Sequence, residues 1–363
     1  MSSNHKGKKI ALLAILVVII AIGLIYLNNK YINKSISTAF RGSSMTQIGE
    51  ANAAKTDGSM IYCKDELLIE AEGAVVRARN VKGEQAWSLN LGGKIRNISS
   101  SGSNIFVVDT LNKLSCITKQ GKVQWTYTCG GEPWNLFTDE NGCILIEYKS
   151  SSGSKLDVLD GKGIKLGSAV LENAYVISFT ASRDKHYTIS ALDVSSDSIK
   201  SRLISYSFGG EMVWAKDYEN IIIPYVKYMK GNQLIAAAER ELFKFNADGS
   251  QSDEIKLEGK ILNVSADDNL MAVVLDEKGK LFCATFNSSL RQLSHNELDI
   301  EPEGIYANKN VYILYDKDEL LIHNEKGMNI ASHKSVSDIS SAYITGDGKV
   351  YIVSGRKLQA FEY

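Results

Sequence analysis

From about residue 57 to the C-terminus the chain repeats itself roughly every 40 residues, and self-similarity at that period dominates every other constraint on the fold. The phrase Leu-x6-Gly-x3-Trp is plain in KLSCITKQGKVQW (Leu114, Gly121, Trp125) and RLISYSFGGEMVW (Leu203, Gly210, Trp214). VRARNVKGEQAW keeps it with Val76, Gly83 and Trp87. Reduced copies carry Leu156 with Gly163, Leu242 with Gly249, Leu281 with Ser288 in the glycine frame, and Leu320 with Gly327. A half-copy, KLQAFEY, ends the chain with Leu358. The apolar anchors are spaced 38, 42, 47, 39, 39, 39 and 38 residues apart.

Each unit reads as four short strands. Residues 94–127 give IRNIS, IFVVDT, KLSCIT and KVQWTY, separated by segments rich in Ser, Gly and Asn that suit tight turns. Pro133, Pro224 and Pro302 fall 12, 14 and 14 residues after the glycine frame, in the links between units, where no ladder hydrogen bond is lost. Four-stranded units of this size stack either radially or as an open solenoid, and radial closure removes exposed sheet edges. The last unit stops after its third strand, so residues 43–54 are expected to supply the fourth and lock the ring. Eight anchors predict an all-β propeller of eight four-stranded blades over residues 43–363; seven is the alternative if the irregular first unit is not a blade.

The KLQAF phrase, the Gly seven residues after the Leu and the Trp four after the Gly resemble the PQQ-type (quinoprotein-like) propeller repeat, Lys-Leu-Tyr-Ala-Phe-Asp-x-x-Gly-x-x-x-Trp. The resemblance spans nearly all of residues 57–363. It departs where Trp is kept only at Trp87, Trp125 and Trp214, and where Ser288 replaces Gly. It implies the scaffold without the cofactor, since the family's quinoprotein dehydrogenases are much longer and carry a vicinal Cys pair, a Ca²⁺ site and a catalytic Asp. This chain has no Cys-Cys.

Ahead of the array, Ile10 to Leu27 is uncharged and apolar for 18 residues, about 27 Å as a helix and enough to cross a bilayer core. A cleavable signal peptide would have a shorter apolar run and a small-x-small site directly after it; Asn28-Asn29-Lys30-Tyr31 follows instead. The expected layout is a cytoplasmic tail (1–9), an anchor (10–27), a linker (28–42) and an extracytoplasmic propeller at the cell membrane. This layout resembles that of membrane-anchored propeller proteins of Gram-positive bacteria.

Charge and chemistry narrow the function. Lys+Arg 41 against Asp+Glu 42 gives a net charge of −1, which argues against a nucleic-acid partner. Five cysteines without CxxC, five histidines without HExxH, and no G-x-S-x-G leave zinc, redox and serine-nucleophile chemistry without a pattern. Cys129 and Cys143 flank one first strand, and their pairing stays open. No cofactor, metal or catalytic residue is expected. Two features rise above this background. The segments 149–155 and 195–201, in the units with the longest steps, read as Ser-rich loops that widen one face. Trp134, Tyr175 and Tyr225 sit in or beside the interblade links, where they either pack between blades or grip a partner at the channel mouth. The leading expectation is a non-enzymatic platform for an envelope protein or cell-wall polymer; the alternative is an ectodomain holding a small molecule or sugar.

Overall fold

The second strand of most units carries apolar residues at consecutive positions, as in IFVV, LIAA, LMAVVL and VYIL, which places apolar side chains on both faces and requires cover on both. In the computed structural model, which describes residues 43–53, 60–64, 66–195 and 198–363, that cover comes from neighbouring blades. The expected tail, anchor and linker (1–42) lie outside the described residues; among these, no helix is long and apolar enough to cross a membrane. Asn104–Asp109 and Lys113–Thr118 are buried almost throughout, whereas Val123–Thr128 alternates toward solvent at the outer edge of the same blade.

Eight blades of four antiparallel strands form the ring. They span residues 60–90, 95–128, 133–172, 174–219, 225–256, 260–297, 304–334 and, for blade 8, 339–362 together with Thr46–Asn52. The first strands of successive blades contact one another around the centre. Among the described residues there is no single core. Eight separate apolar clusters form instead, one in each gap between neighbouring blades.

Ring closure is made by Thr46–Asn52, which runs antiparallel to Lys357–Glu362 and pairs Ala51 with Leu358. Just before it, Ser43–Ser44 lies parallel to Asn329–Lys334 and adds a fifth strand to blade 7.

The repeated Gly and Trp meet across the blade gaps. A Cβ built on Gly121 would lie 2.5 Å from the Trp87 ring, one on Gly163 2.7 Å from Trp125, and one on Gly249 2.5 Å from Trp214. Each Trp therefore lies flat on the next blade's turn. Trp87 and Trp125 also donate their indole N–H to the carbonyls of Lys119 and Gly161, at 2.8 and 3.0 Å. Where blade 3 lacks the Trp, Gly167 and Gly210 bring backbone against backbone.

Two local readings are corrected. The glycine frame in blade 6 is held by Leu290, at φ 58°, and not by Ser288, because the strand before the turn is longer. Residues 149–155 do not form a loop: Lys149 pairs with Ser154 and Ser150 with Gly153, so the extra residues lengthen the ladder.

Gly121→Ala should destabilise the ring by about 2–4 kcal/mol, combining a left-handed backbone (φ +77°) with overpacking against Trp87. In a Trp87→Ala background the same change should cost at least about 1 kcal/mol less. Urea unfolding of the double-mutant cycle measures the difference.

Candidate functional site

A four-stranded meander puts all interblade links and second-to-third-strand hairpins on one side of the ring, here the link face. The first-to-second and third-to-fourth turns lie on the other, the turn face. On the link face each hairpin is tied to a link by backbone hydrogen bonds. Leu91 N–H donates to Ala74 O, Cys129 N–H to Asn112 O, Val194 N–H to Asn173 O, and Leu257 N–H to Arg240 O. This surface is preformed.

A β-bulge gives that face its character. In five of the first strands the ladder slips by one residue, leaving Arg96, Trp134, Ile177, Leu262 and Ser340 without a cross-strand partner near the link-face end. Bulges re-aim side chains, and Trp134 and Leu262 are 55% and 52% exposed. In blade 4 the distortion is fixed from below. The buried Glu147 carboxylate accepts the Val176 N–H at 3.1 Å, and holds Asn135 and Ser154 at 2.7 and 2.5 Å.

The three aromatics expected at the mouth are placed differently. Trp134 is presented to solvent, with the Lys149 ammonium 4.6 Å above its ring. Tyr175, at the start of Ala174–Ala181, is also exposed. Tyr225 turns into the blade gap: it packs against the cluster between blades 5 and 6, and its hydroxyl accepts the Ala266 N–H at 2.9 Å. Sequence reasoning missed the aliphatic members of the same face. Leu111, Val194, Ile199 and Ile222 stand exposed in hairpins and links of blades 2 to 5. Their visible signal was a large apolar residue inside an otherwise polar turn, as in TLN and VSSDSI.

On the turn face, polar side chains stitch the blades together. Asn141 donates to Ala181 O at 2.7 Å, Thr180 to Asp139 at 3.1 Å, and Asn308 to Ile344 O at 2.7 Å. Two ion pairs reach past an intervening blade: Lys227 to Glu140 at 3.3 Å, and Arg183 to Asp268.

The profile of one family, described as a family of unknown function (DUF5711), matches residues 42–362. The chain belongs to that family. No curated protein matches the sequence. Solved structures similar to it include BamB from Moraxella catarrhalis, at 15% identity and a TM-score of 0.57, covering 88% of this chain and 100% of that one. The computationally designed Ika8 protein reaches a TM-score of 0.62 at 9% identity, covering 87% and 100%. BBS1N, solved in complex with ARL6DN, gives 0.51 at 9%, covering 88% and 97%. At these identities the likeness is one of fold.

Titratable groups inside the blades serve packing. All five cysteines are free thiols, Cys129 and Cys143 among them. Burial pushes Cys116 and Cys129 up to about 11 and Cys283 up to about 12, so they stay protonated near neutrality. Burial also acts to raise the Asp157 carboxyl. Lys165 at 2.6 Å, Ser168 at 2.7 Å, and the Tyr148 and Tyr127 hydroxyls, both at 2.9 Å, outweigh it and hold Asp157 below its usual range. Among the described residues no cluster of three or more His, Cys, Asp or Glu could hold a metal.

His323 is buried, stacked on Tyr312 at 5.2 Å, and its Nδ1 meets no hydrogen-bond partner. Desolvation pushes its pKa down from 6.5 to about 4. The unfolded chain therefore takes up this proton first, so stability is complete above about pH 6.5 and falls as pH drops toward 4. Tyr225→Phe should cost about 1 kcal/mol through the stranded Ala266 N–H. His323→Phe should lessen the stability lost between pH 7 and 4.5 by about 2–3 kcal/mol. Denaturant titrations at the two pH values measure both.

Proposed function

We propose that the protein is a non-enzymatic docking platform whose link face, over blades 2 to 6, binds a protein partner. The observation that carries this reading is the run of exposed apolar side chains around Trp134, Leu262, Tyr175 and Ile199 on a surface locked by backbone hydrogen bonds. Apolar groups held rigidly in water in this number mark an interaction surface. Aromatic anchors of low conformational entropy concentrate binding energy there. The propeller BBS1N, solved in complex with ARL6DN, is an instance of this architecture holding a protein.

In the fuller form of the proposal, residues 10–27 anchor the chain in the cell membrane. The ring then stands outside the cytoplasm, and an envelope protein or cell-wall polymer is its ligand. The uncharged apolar run from Ile10 to Leu27 supports that placement.

Two measurements test the proposal. Trp134→Asp combined with Ile199→Asp should leave the unfolding midpoint unchanged and reduce partner recovery after in-cell crosslinking at least about tenfold, the worth of one hot spot. Equal recovery by both chains would overturn the assigned face. Protease added to intact cells should digest the ring, and full protection would overturn the placement.

A further inference from the structure

The turn face carries a second feature that the docking surface does not use. A cavity of about 230 Å³ opens between the first-to-second-strand turns of blades 3 to 6. Tyr228, one of its lining residues, is held by its hydroxyl on Thr188 at 2.8 Å and by its N–H on the Thr180 hydroxyl at 3.1 Å. Its walls carry Arg183, Asp184, Lys230, Asn232 and Asp268.

These charges are not all spent on one another. Arg183 is paired with Asp268. The Asp184 carboxylate accepts only the Asn232 amide, and the Lys230 ammonium makes no ion pair among the described residues. An unpaired anion and an unpaired cation thus line one cavity without touching each other. The frame holding them is fixed across blades: Arg183 N–H donates to Asn232 Oδ1 at 3.2 Å, and Lys230 N–H to Asp268 O at 2.7 Å.

We propose that this cavity binds a small zwitterion, an α-amino acid, with its ammonium on Asp184 and its carboxylate on Lys230. The lining is neutral in sum, so a simple anion or cation would leave one wall charge opposed or unmatched, whereas a zwitterion satisfies both. A neutral polyol would replace water at both charges and gain no charge complementarity. The volume of about 230 Å³ leaves room for an amino acid of at least alanine or serine size. The Asp184 and Lys230 side chains are solvent-exposed, so each charge contact contributes little and the affinity is set in about the millimolar range.

Thermal unfolding of the full chain with 10 mM ligand tests this, with alanine as the probe and N-acetylalanine, alaninamide and glycerol as controls. Alanine should raise the midpoint by about 2 °C while the controls leave it in place. Asp184→Asn and Lys230→Met, which remove exposed charges and should unfold normally without ligand, should each abolish the alanine shift. Trp134→Asp should retain it, separating this site from the docking face. An equal shift from either blocked analogue or from glycerol, no shift with alanine, or a full shift in both charge variants would each overturn the proposal.

Discussion

The whole ring depends on closure. A blade is a sheet with two apolar faces, and each face finds cover only in the next blade, so a row of blades with free ends would leave two faces wet. The strand Thr46–Asn52 solves this by completing blade 8 from the other end of the described chain. It places Ala51, Leu358 and Ala360 in one cluster with Leu68 of blade 1. Contact there is close: a Cβ on Gly49 would stand 2.6 Å from the Val81 carbonyl oxygen. A further tie runs from Cys63 of blade 1 to the Tyr343 hydroxyl of blade 8 at 3.1 Å.

Closure also explains why the repeat survives while its residues vary. Every gap must be filled at the same radius, and the Trp-on-Gly contact fills three of them near the turn face. In the other gaps different residues do the same work. Between blades 6 and 7, Asn296 and Ser294 lie against Gly327 in place of an indole ring. A fuller signature was present in the sequence. Asn246, before Gly249, donates to the Ser250 hydroxyl, whereas in five turns the residue three before the Gly (Asn80, Thr118, Asp160, Ser207 or Asn324) accepts two N–H groups of the turn with its side chain. Aligned on that oxygen, blade 6 begins its turn at Asn287 and places Leu290, not Ser288, in the left-handed position.

The fold was therefore legible because each blade makes the same contacts, and periodicity in sequence reports periodicity in contact. The site is less legible because it depends on departures from that regularity. A bulge leaves no mark of residue type: the five bulged positions hold Arg, Trp, Ile, Leu and Ser. Trp134 could be singled out as a large aromatic beside Pro133, but nothing near Leu262 distinguishes it from a ladder residue. Tyr225 shows the converse. It follows Pro224 as Trp134 follows Pro133, yet the ladder from Tyr225 to Met229 carries no bulge, and its side chain goes into the blade gap.

The route of the chain gives the two faces of the ring a direction. Ser43–Ser44 runs parallel to the fourth strand of blade 7, which travels from the turn face to the link face. The described chain thus joins the ring from the turn-face side. If residues 10–27 anchor the chain, as proposed, attachment is from the turn-face side, opposite the exposed Trp134, Leu262 and Ile199. That arrangement would leave the side chains of the proposed docking face accessible to a partner.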